Sequence, residues 1–382
     1  MSEIIDSGTA VGTGRYLLNA ASTFVWRMSK LAVGLGAVVA TLLYFKQNSL
    51  LYFPEIGGVP RRPGQNPRRY RSPSEHGIPF ESLKIKCSDG VSIHAWLLLR
   101  DQSSSEHLPT LVFFHGNAGN IGLRLPNALQ MLQYLNANVL MVEYRGYGDS
   151  DSVAPTEAGL KLDAEAALRF IVKHPHIDAA NVFLFGRSLG GAVAFHLAQY
   201  AQREHLPLAG VIVENTFTSI ADMVDHLMPM IAPLKALVLR IDWNSLKIAP
   251  TLTVPILFLA GARDQLVPHE HMLKLYKATR GAKIHVVKDG THNETWTQGG
   301  QEYWEAIKGF LADSASLNSL SSTNNSKNRF GSNVGDGANA AASIRSSSSS
   351  AIPIMPNNIL NLAQESMRGN SSTVRVPDKK QV

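Results

Sequence analysis

Three features of the chain predict an α/β fold with a mainly parallel central sheet, helices on both faces and a small helical cap. Apolar runs rich in Val, Ile, Leu and Phe recur from Thr110 onward and alternate with helical stretches. Right-handed crossovers turn that alternation into a parallel sheet. One run, Asn181-Val182-Phe183-Leu184-Phe185, leads into Gly186-Arg187-Ser188-Leu189-Gly190 and then into residues 191–198, which read as a helix. Strand, Gly-x-Ser-x-Gly, helix is the setting of a strained turn that lifts a serine out of the sheet. The third feature is an acid and a histidine that follow this serine, each just past the end of a further apolar run.

In chain order, Phe80–Lys86 and residues 91–99 alternate around Asp89-Gly90, a hairpin signal. Thr110–Phe114 and residues 139–144 read as the next strands, and residues 157–173 as a helix ending before Pro175. Residues 181–185, 208–214, 255–261 and 283–288 supply the remaining strands.

A serine hydroxyl is a weak nucleophile, so Ser188 requires a base and a group that orients the base. Asp264 lies in the loop after residues 255–261, and His292 in Asp289-Gly290-Thr291-His292-Asn293 after residues 283–288. All three thus fall at strand carboxyl ends, where sites form in parallel sheets. Glu214 also ends a strand and is the second candidate for the acid; Asp264 is preferred because its loop directly precedes the strand that delivers His292. After Thr110–Phe114 comes His115-Gly116-Asn117-Ala118-Gly119-Asn120. A backbone N–H from this loop, at Asn117, can join that of Leu189 as an oxyanion hole. His115 is read as bracing the loop rather than as the base.

Composition narrows the function classes. The 382 residues leave room for one large domain plus appendages, and 45% hydrophobic content suffices for a substantial core. The net charge is +6 and the isoelectric point near 9.3. Even so, the basic residues form no single stripe, and the densest cluster (Arg61, Arg62, Arg68, Arg69, Arg71) is interleaved with proline beyond an apolar segment. Anionic lipid headgroups account for that cluster better than nucleic acid does. Cys87 is the only cysteine, so no intramolecular disulfide can form. Neither a metal site nor a cofactor is expected.

The N-terminal thirty residues read as a polar segment, and residues 31–53 as a transmembrane anchor. Residues 31–45 carry no charge and are bracketed by Lys30 and Lys46. They are shorter than a ~30 Å bilayer core, so the span is completed if Lys46 snorkels and Leu50-Leu51-Tyr52-Phe53 joins it, with Trp26 and Tyr52 near the interfaces. Residues 54–79, rich in Pro, Gly and Arg, read as an extended linker to a domain spanning residues 80–312. Within it, residues 217–250 are set apart by Met223, Leu227, Met228, Met230, Ile231, Leu234, Leu237, Val238 and Leu239, interrupted by Pro229 and Pro233. They read either as an ordinary packing helix or as a short cap whose methionines, with Leu234, Leu237 and Trp243, wall an acyl pocket. Residues 313–382 are dominated by Ser, Asn and Gly and read as a disordered tail, with residues 359–362 as a possible protein-partner motif. Sequons begin at Asn293, Asn324 and Asn370.

Assembled, these motifs resemble the α/β-hydrolase superfamily, and within it the membrane-anchored branch containing α/β-hydrolase domain-containing protein 13 and the fungal bud-emergence hydrolases. Phe114-His115-Gly116-Asn117-Ala118-Gly119-Asn120, Glu143-Tyr144-Arg145-Gly146-Tyr147-Gly148 and Gly186-Arg187-Ser188-Leu189-Gly190-Gly191 carry the resemblance, extended by Glu214-Asn215-Thr216-Phe217 and Gly290-Thr291-His292-Asn293. It runs from about residue 50 to about residue 312 and implies Ser188 as nucleophile, Asp264 as acid and His292 as base.

The expected protein is therefore a single-pass membrane serine hydrolase acting on carboxylic esters or thioesters of lipid-like acyl groups. Membrane lipid is its expected surroundings and nucleic acid is not an expected partner. Its expected location is the endoplasmic reticulum or plasma membrane, tilting toward the type II orientation. The competing class is a membrane-tethered interaction protein on a hydrolase scaffold with little turnover.

Overall fold

Strands of five or six residues with every position buried form the middle of the sheet: β3 (Thr110–Phe114), β4 (Asn138–Val142), β5 (Val182–Arg187), β6 (Gly210–Glu214) and β7 (Ile256–Gly261). Such uninterrupted apolar runs are what a parallel sheet covered on both faces requires. The hairpin strands β1 (Phe80–Lys86) and β2 (Ser92–Leu98) and the edge strand β8 (Lys283–Val287) complete eight strands in the order β1-β2-β4-β3-β5-β6-β7-β8. Only the β1/β2 and β2/β4 pairs are antiparallel. The computed structural model describes residues 7–100 and 105–327.

Ten helices accompany these strands among the described residues. They are α1 (Ser7–Leu51), α2 (Leu125–Leu135), α3 (Glu157–Ile171), α4 (Leu189–Arg203), α5 (Ile220–Leu227), α6 (Lys235–Val238), α7 (Ser245–Ile248), α8 (His269–Ala278), α9 (Thr295–Gln298) and α10 (Gly300–Lys327). Alternate side chains of the strands divide the helices between two faces. Phe113, Phe185, Ile212 and Leu259 share one core with Leu125, Met131 and Leu132 of α2 and with Trp304, Ile307 and Phe310 of α10. On the opposite face Phe258 meets Phe195 of α4 and Tyr276 of α8, with ring centroids 6.3 and 6.1 Å apart.

The chain divides into two compact units. One comprises Tyr52–Ile220 together with the chain from Trp243 onward, and contains the whole sheet. The other joins the chain up to Leu51 with Ala221–Asp242. In the second unit α1 is a single helix of 45 residues, roughly 67 Å long at ~1.5 Å per residue. Within its stretch Asn19–Leu51 the most apolar 18-residue window has a mean hydropathy of 1.7 and none of that window is buried, so by length and composition the helix can cross a membrane. The helix thus starts well before residue 31, inside what reads as a polar segment.

Several boundaries differ from those expected from the sequence. Tyr52 and Phe53 belong to the sheet-bearing unit: Tyr52 is buried and accepts from Trp243 Nε1 at 2.9 Å, and Phe53 forms a parallel bridge with Ala118. Residues 54–79 are not an extended linker. Short 3₁₀ turns at Pro63–Gln65 and Pro73–His76 fold them onto the sheet-bearing unit, and the buried Asn66 side chain bonds Asn120 Oδ1 and the Tyr70 carbonyl, both at 2.8 Å. Proline and glycine there mark turns, not freedom. Residues 217–250 are split, since Phe217 and Trp243 sit in the sheet-bearing unit while Ala221–Asp242 does not. Helix α10 carries the fold past residue 312 to Lys327. Residues 328–382, with the 359–362 motif and the Asn370 sequon, lie outside the described residues.

Candidate active site

Ser188 stands at the turn between β5 and α4 with φ 55° and ψ −121°, a conformation that costs a non-glycine residue roughly 1–3 kcal/mol. The flanking glycines make the turn sterically possible. A Cβ on Gly186 would lie 2.1 Å from the Gly190 carbonyl oxygen, and one on Gly190 would lie 2.0 Å from the Phe114 carbonyl oxygen. Backbone bonds hold the strain in place: Ser188 N–H donates to the Glu214 carbonyl at 2.9 Å, and the Ser188 carbonyl accepts from Thr216 Oγ1 at 2.7 Å.

The structure brings Ser188, His292 and Asp264 together. His292 Nε2 lies 3.0 Å from Ser188 Oγ, and His292 Nδ1 lies 2.7 Å from Asp264 Oδ2. A carboxylate accepts from Nδ1–H, which leaves Nε2 to accept the serine proton. The other Asp264 oxygen, Oδ1, takes the backbone N–H groups of Leu266 and Val267 at 2.9 and 2.8 Å, and the carboxylate side chain is 1% exposed. The acid is thus fixed in orientation before it meets the imidazole.

Leu189 opens α4, so its N–H belongs to the first turn of a 15-residue helix, where donors lack intrahelical partners and the dipole favours negative charge. The Asn117 N–H shares a peptide with the Gly116 carbonyl, which accepts from His115 Nδ1 at 2.7 Å. A trans peptide directs its N–H opposite its C=O, so His115 sets the direction of that donor. The loop is pinned from outside by Tyr144 Oη on the His115 carbonyl at 2.9 Å and by Tyr147 Oη on the Asn117 carbonyl at 2.7 Å. Burial pushes the His115 imidazole down to about 3, helped by the nearby Arg124 cation, so it stays neutral at physiological pH. This is the bracing role read from the sequence.

Glu214 is engaged elsewhere. Its fully buried carboxylate takes Arg187 Nε at 2.8 Å and Arg187 Nη2 at 3.2 Å, and the Tyr303 hydroxyl donates to it. Arg187 Nη2 also bonds Asn127 Oδ1 at 2.8 Å. The arginine beside Ser188 is therefore a buried cation whose donors are engaged within the fold.

Asn215 escaped the sequence reading. At φ 47° it turns its side chain under the histidine loop, where Nδ2 donates to the Thr291 and His292 carbonyls at 3.1 Å and to Thr295 Oγ1 at 2.9 Å. Its Oδ1 accepts the Gly261 N–H at 2.8 Å. One side chain thereby ties the loop carrying His292 to the strand end that precedes Asp264. The sequence signal was available in the block Glu214-Asn215-Thr216-Phe217, as an asparagine at a strand end that tolerates positive φ. Asn215→Asp keeps the shape and the backbone tolerance but aims oxygen at two carbonyls. The expected result is a kcat lowered about 100-fold with KM little changed, because small misplacements of a base are costly; an unaltered kcat would show that the loop holds itself.

A mainly parallel eight-stranded sheet with Gly-x-Ser-x-Gly at the turn between its central strand and the following helix is the α/β-hydrolase architecture. The comparisons agree, and the chain belongs to the α/β-hydrolase family. It is 36% identical over 289 residues to protein bem46 of Schizosaccharomyces pombe, covering 75% of this chain and 92% of that one. The α/β-hydrolase domain-containing protein WAV2 of Arabidopsis thaliana is 35% identical over 302 residues, with 74% and 94% covered. The membrane protein YNL320W of Saccharomyces cerevisiae is 32% identical over 297 residues, with 76% and 98% covered. The family description "Serine aminopeptidase, S33" matches residues 105–250. Among solved structures, an α/β-hydrolase from Vibrio vulnificus superposes with a TM-score of 0.54 at 20% identity, covering 72% of this chain and 93% of that one. The Pyrococcus furiosus esterase Pf2001 gives 0.53 at 18% identity, with 68% and 98% covered. At these identities the two structures speak for the fold alone.

Proposed function

We propose that this protein is a membrane-anchored serine hydrolase that cleaves carboxylic esters or thioesters of lipid-like acyl groups through an acyl-enzyme on Ser188. The hydrogen-bonded chain from Ser188 Oγ through His292 to Asp264 carries this reading. In it His292 Nε2 takes the serine proton as Oγ attacks the acyl carbonyl, and the oxyanion is held by the N–H groups of Asn117 and Leu189. The imidazolium, stabilised by Asp264, then protonates the leaving alcohol or thiol. Water, deprotonated by the same imidazole, cleaves the acyl-enzyme. Support for the anchor comes from the unburied apolar window within Asn19–Leu51 and from the membrane assignment in the name of YNL320W. Lipid-like substrates are favoured because an anchor of this kind would hold the hydrolase at a lipid surface, where acyl esters are concentrated.

The test is kcat/KM of the full-length protein across esters from acetate to palmitate. Each buried methylene is worth ~0.8 kcal/mol, so the constant should rise roughly fourfold per methylene until the pocket is full. An optimum at acetate would reject the lipid-acyl reading while leaving the hydrolase intact. Peptide amides with a free amino terminus outrunning every ester would instead move the substrate class toward the aminopeptidase description of the matching family.

A further inference from the structure

Among the described residues, the segment Ala221–Asp242 contains the most exposed large apolar side chains outside α1. Met230 is 93% exposed and Leu237 74%, with Leu227, Met228 and Leu234 also exposed. Large apolar side chains exposed this close together in sequence point to a contact surface. Its location within its own unit says what covers it. Gln47, buried near the carboxyl end of α1, clasps the end of the segment: its Oε1 accepts the N–H groups of Arg240 and Ile241 at 2.8 and 3.0 Å, and its Nε2 donates to the Val238 carbonyl at 3.2 Å. Arg240 Nε donates to the Tyr44 carbonyl at 3.0 Å, and the guanidinium lies over the Tyr44 ring at 4.5 Å. The segment that carries these apolar side chains is thus tethered to the last turns of the helix read as the membrane span, where Lys46 and Arg240 carry charges that suit anionic headgroups, while Lys235 is paired with Asp225.

We propose that residues 227–238 form a second membrane contact, an interfacial element that sinks Leu227, Met228, Met230, Leu234 and Leu237 into the headgroup and acyl boundary of the bilayer crossed by α1. The inference rests on the anchor reading above. Pliable methionines, and a chain that leaves α5 before Pro229 and passes through a 3₁₀ turn at Ala232–Leu234 into the one-turn α6, suit a surface that adapts to lipid rather than one that packs in a fixed core. Such an element lies in the plane of the interface, with its apolar face at the depth of the first methylenes. Gln47 satisfies backbone groups that would otherwise be left without partners on entering an apolar medium.

The test places an environment-sensitive fluorophore at single cysteines in the full-length protein in phosphatidylcholine/phosphatidylserine vesicles. Labelling at neutral pH spares the native Cys87, which is buried with its thiol pushed up to about 12. Four variants suffice: Met230→Cys and Leu237→Cys in the segment, Val38→Cys in mid-helix and Arg280→Cys on the sheet-bearing unit. The expected result is blue-shifted emission at 230 and 237, quenched on the order of twofold more by lipids with a doxyl group near the headgroup than by lipids with one deep in the acyl chain. Position 38 should show the reverse preference and position 280 no quenching. Quenching at 38 with 230 and 237 behaving like 280 would overturn this inference and leave the anchor standing. No quenching at 38 would remove the anchor and the inference with it. A blue shift at 230 and 237 that resists every lipid quencher and fades on diluting the protein in lipid would assign the surface to a second copy of the chain and overturn the proposal.

Discussion

Replacing Ser188 with alanine is expected to lower kcat on any ester by on the order of 10⁴- to 10⁶-fold and to abolish covalent labelling by fluorophosphonates. The change removes only the atom that lies 3.0 Å from His292 Nε2. The backbone strain at φ 55° stays, because alanine is no more at ease there than serine. Stability should therefore change by less than about 1 kcal/mol. Ser188→Gly separates the two properties. It is equally inactive, but it relieves the strained conformation and should raise stability by ~1 kcal/mol or more, the signature of a turn held for catalysis against its own preference. Thermal denaturation alongside initial rates checks both variants. Activity retained in Ser188→Ala would end the nucleophile assignment, and a destabilised Ser188→Gly would end the strain argument.

The choice of acid gives the second large effect. Asp264→Asn should lower kcat by about 10³- to 10⁴-fold, because an amide cannot hold His292 in the tautomer that leaves Nε2 free or stabilise the imidazolium. Little stability should be lost, since the carbonyl oxygen of the introduced amide can still take the N–H groups of Leu266 and Val267 that Asp264 Oδ1 now takes. Glu214→Gln should do the opposite. It leaves the Arg187 guanidinium buried without its carboxylate, a change that costs about 3–5 kcal/mol. The kcat of the molecules that remain folded should stay within about tenfold. Active-site titration combined with denaturant melts distinguishes the two. A crippled kcat in Glu214→Gln with an unaltered melt, and a mild defect in Asp264→Asn, would reverse the assignment.

That contrast shows where one-dimensional reasoning stopped. Both acids end buried strands, so strand-end placement alone could only rank them. What separates them is the partner each meets, Arg187 and Tyr303 for Glu214 and His292 for Asp264, and partners come from the folded sheet. The turn around Ser188 was legible because part of its constraint lies within the motif, where the Gly190 carbonyl closes on Gly186; the Phe114 carbonyl that closes on Gly190 comes from β3. The central strands were legible because full burial on both faces leaves no room for polar residues. Helices α2, α8 and α10 were missed. Although Leu125, Met131 and Leu132 of α2 and Trp304, Ile307 and Phe310 of α10 fill the core, their amphipathic patterns are less conspicuous than an uninterrupted apolar run.

Residues 54–79 misled for a related reason. Pro, Gly and Arg in one stretch read as solvated chain, yet Arg61 donates to the Ser150 carbonyl at 2.6 Å and Asn66 and Asn120 exchange side-chain hydrogen bonds. Polar residues here bind the chain down through specific partners, which periodicity does not register. Asn215 belongs to the same class, a polar residue whose importance lies in four bonds to distant backbone and side-chain groups.

The central claim, an acyl-transfer nucleophile at Ser188, is tested most directly by treating the full-length protein in vesicles with a fluorophosphonate and mapping the adduct by peptide mass spectrometry while following ester hydrolysis. One phosphonyl group per chain should appear on Ser188, and hydrolysis should fall in proportion to its occupancy. An adduct on another residue, or hydrolysis that persists when Ser188 is fully modified, would contradict the account.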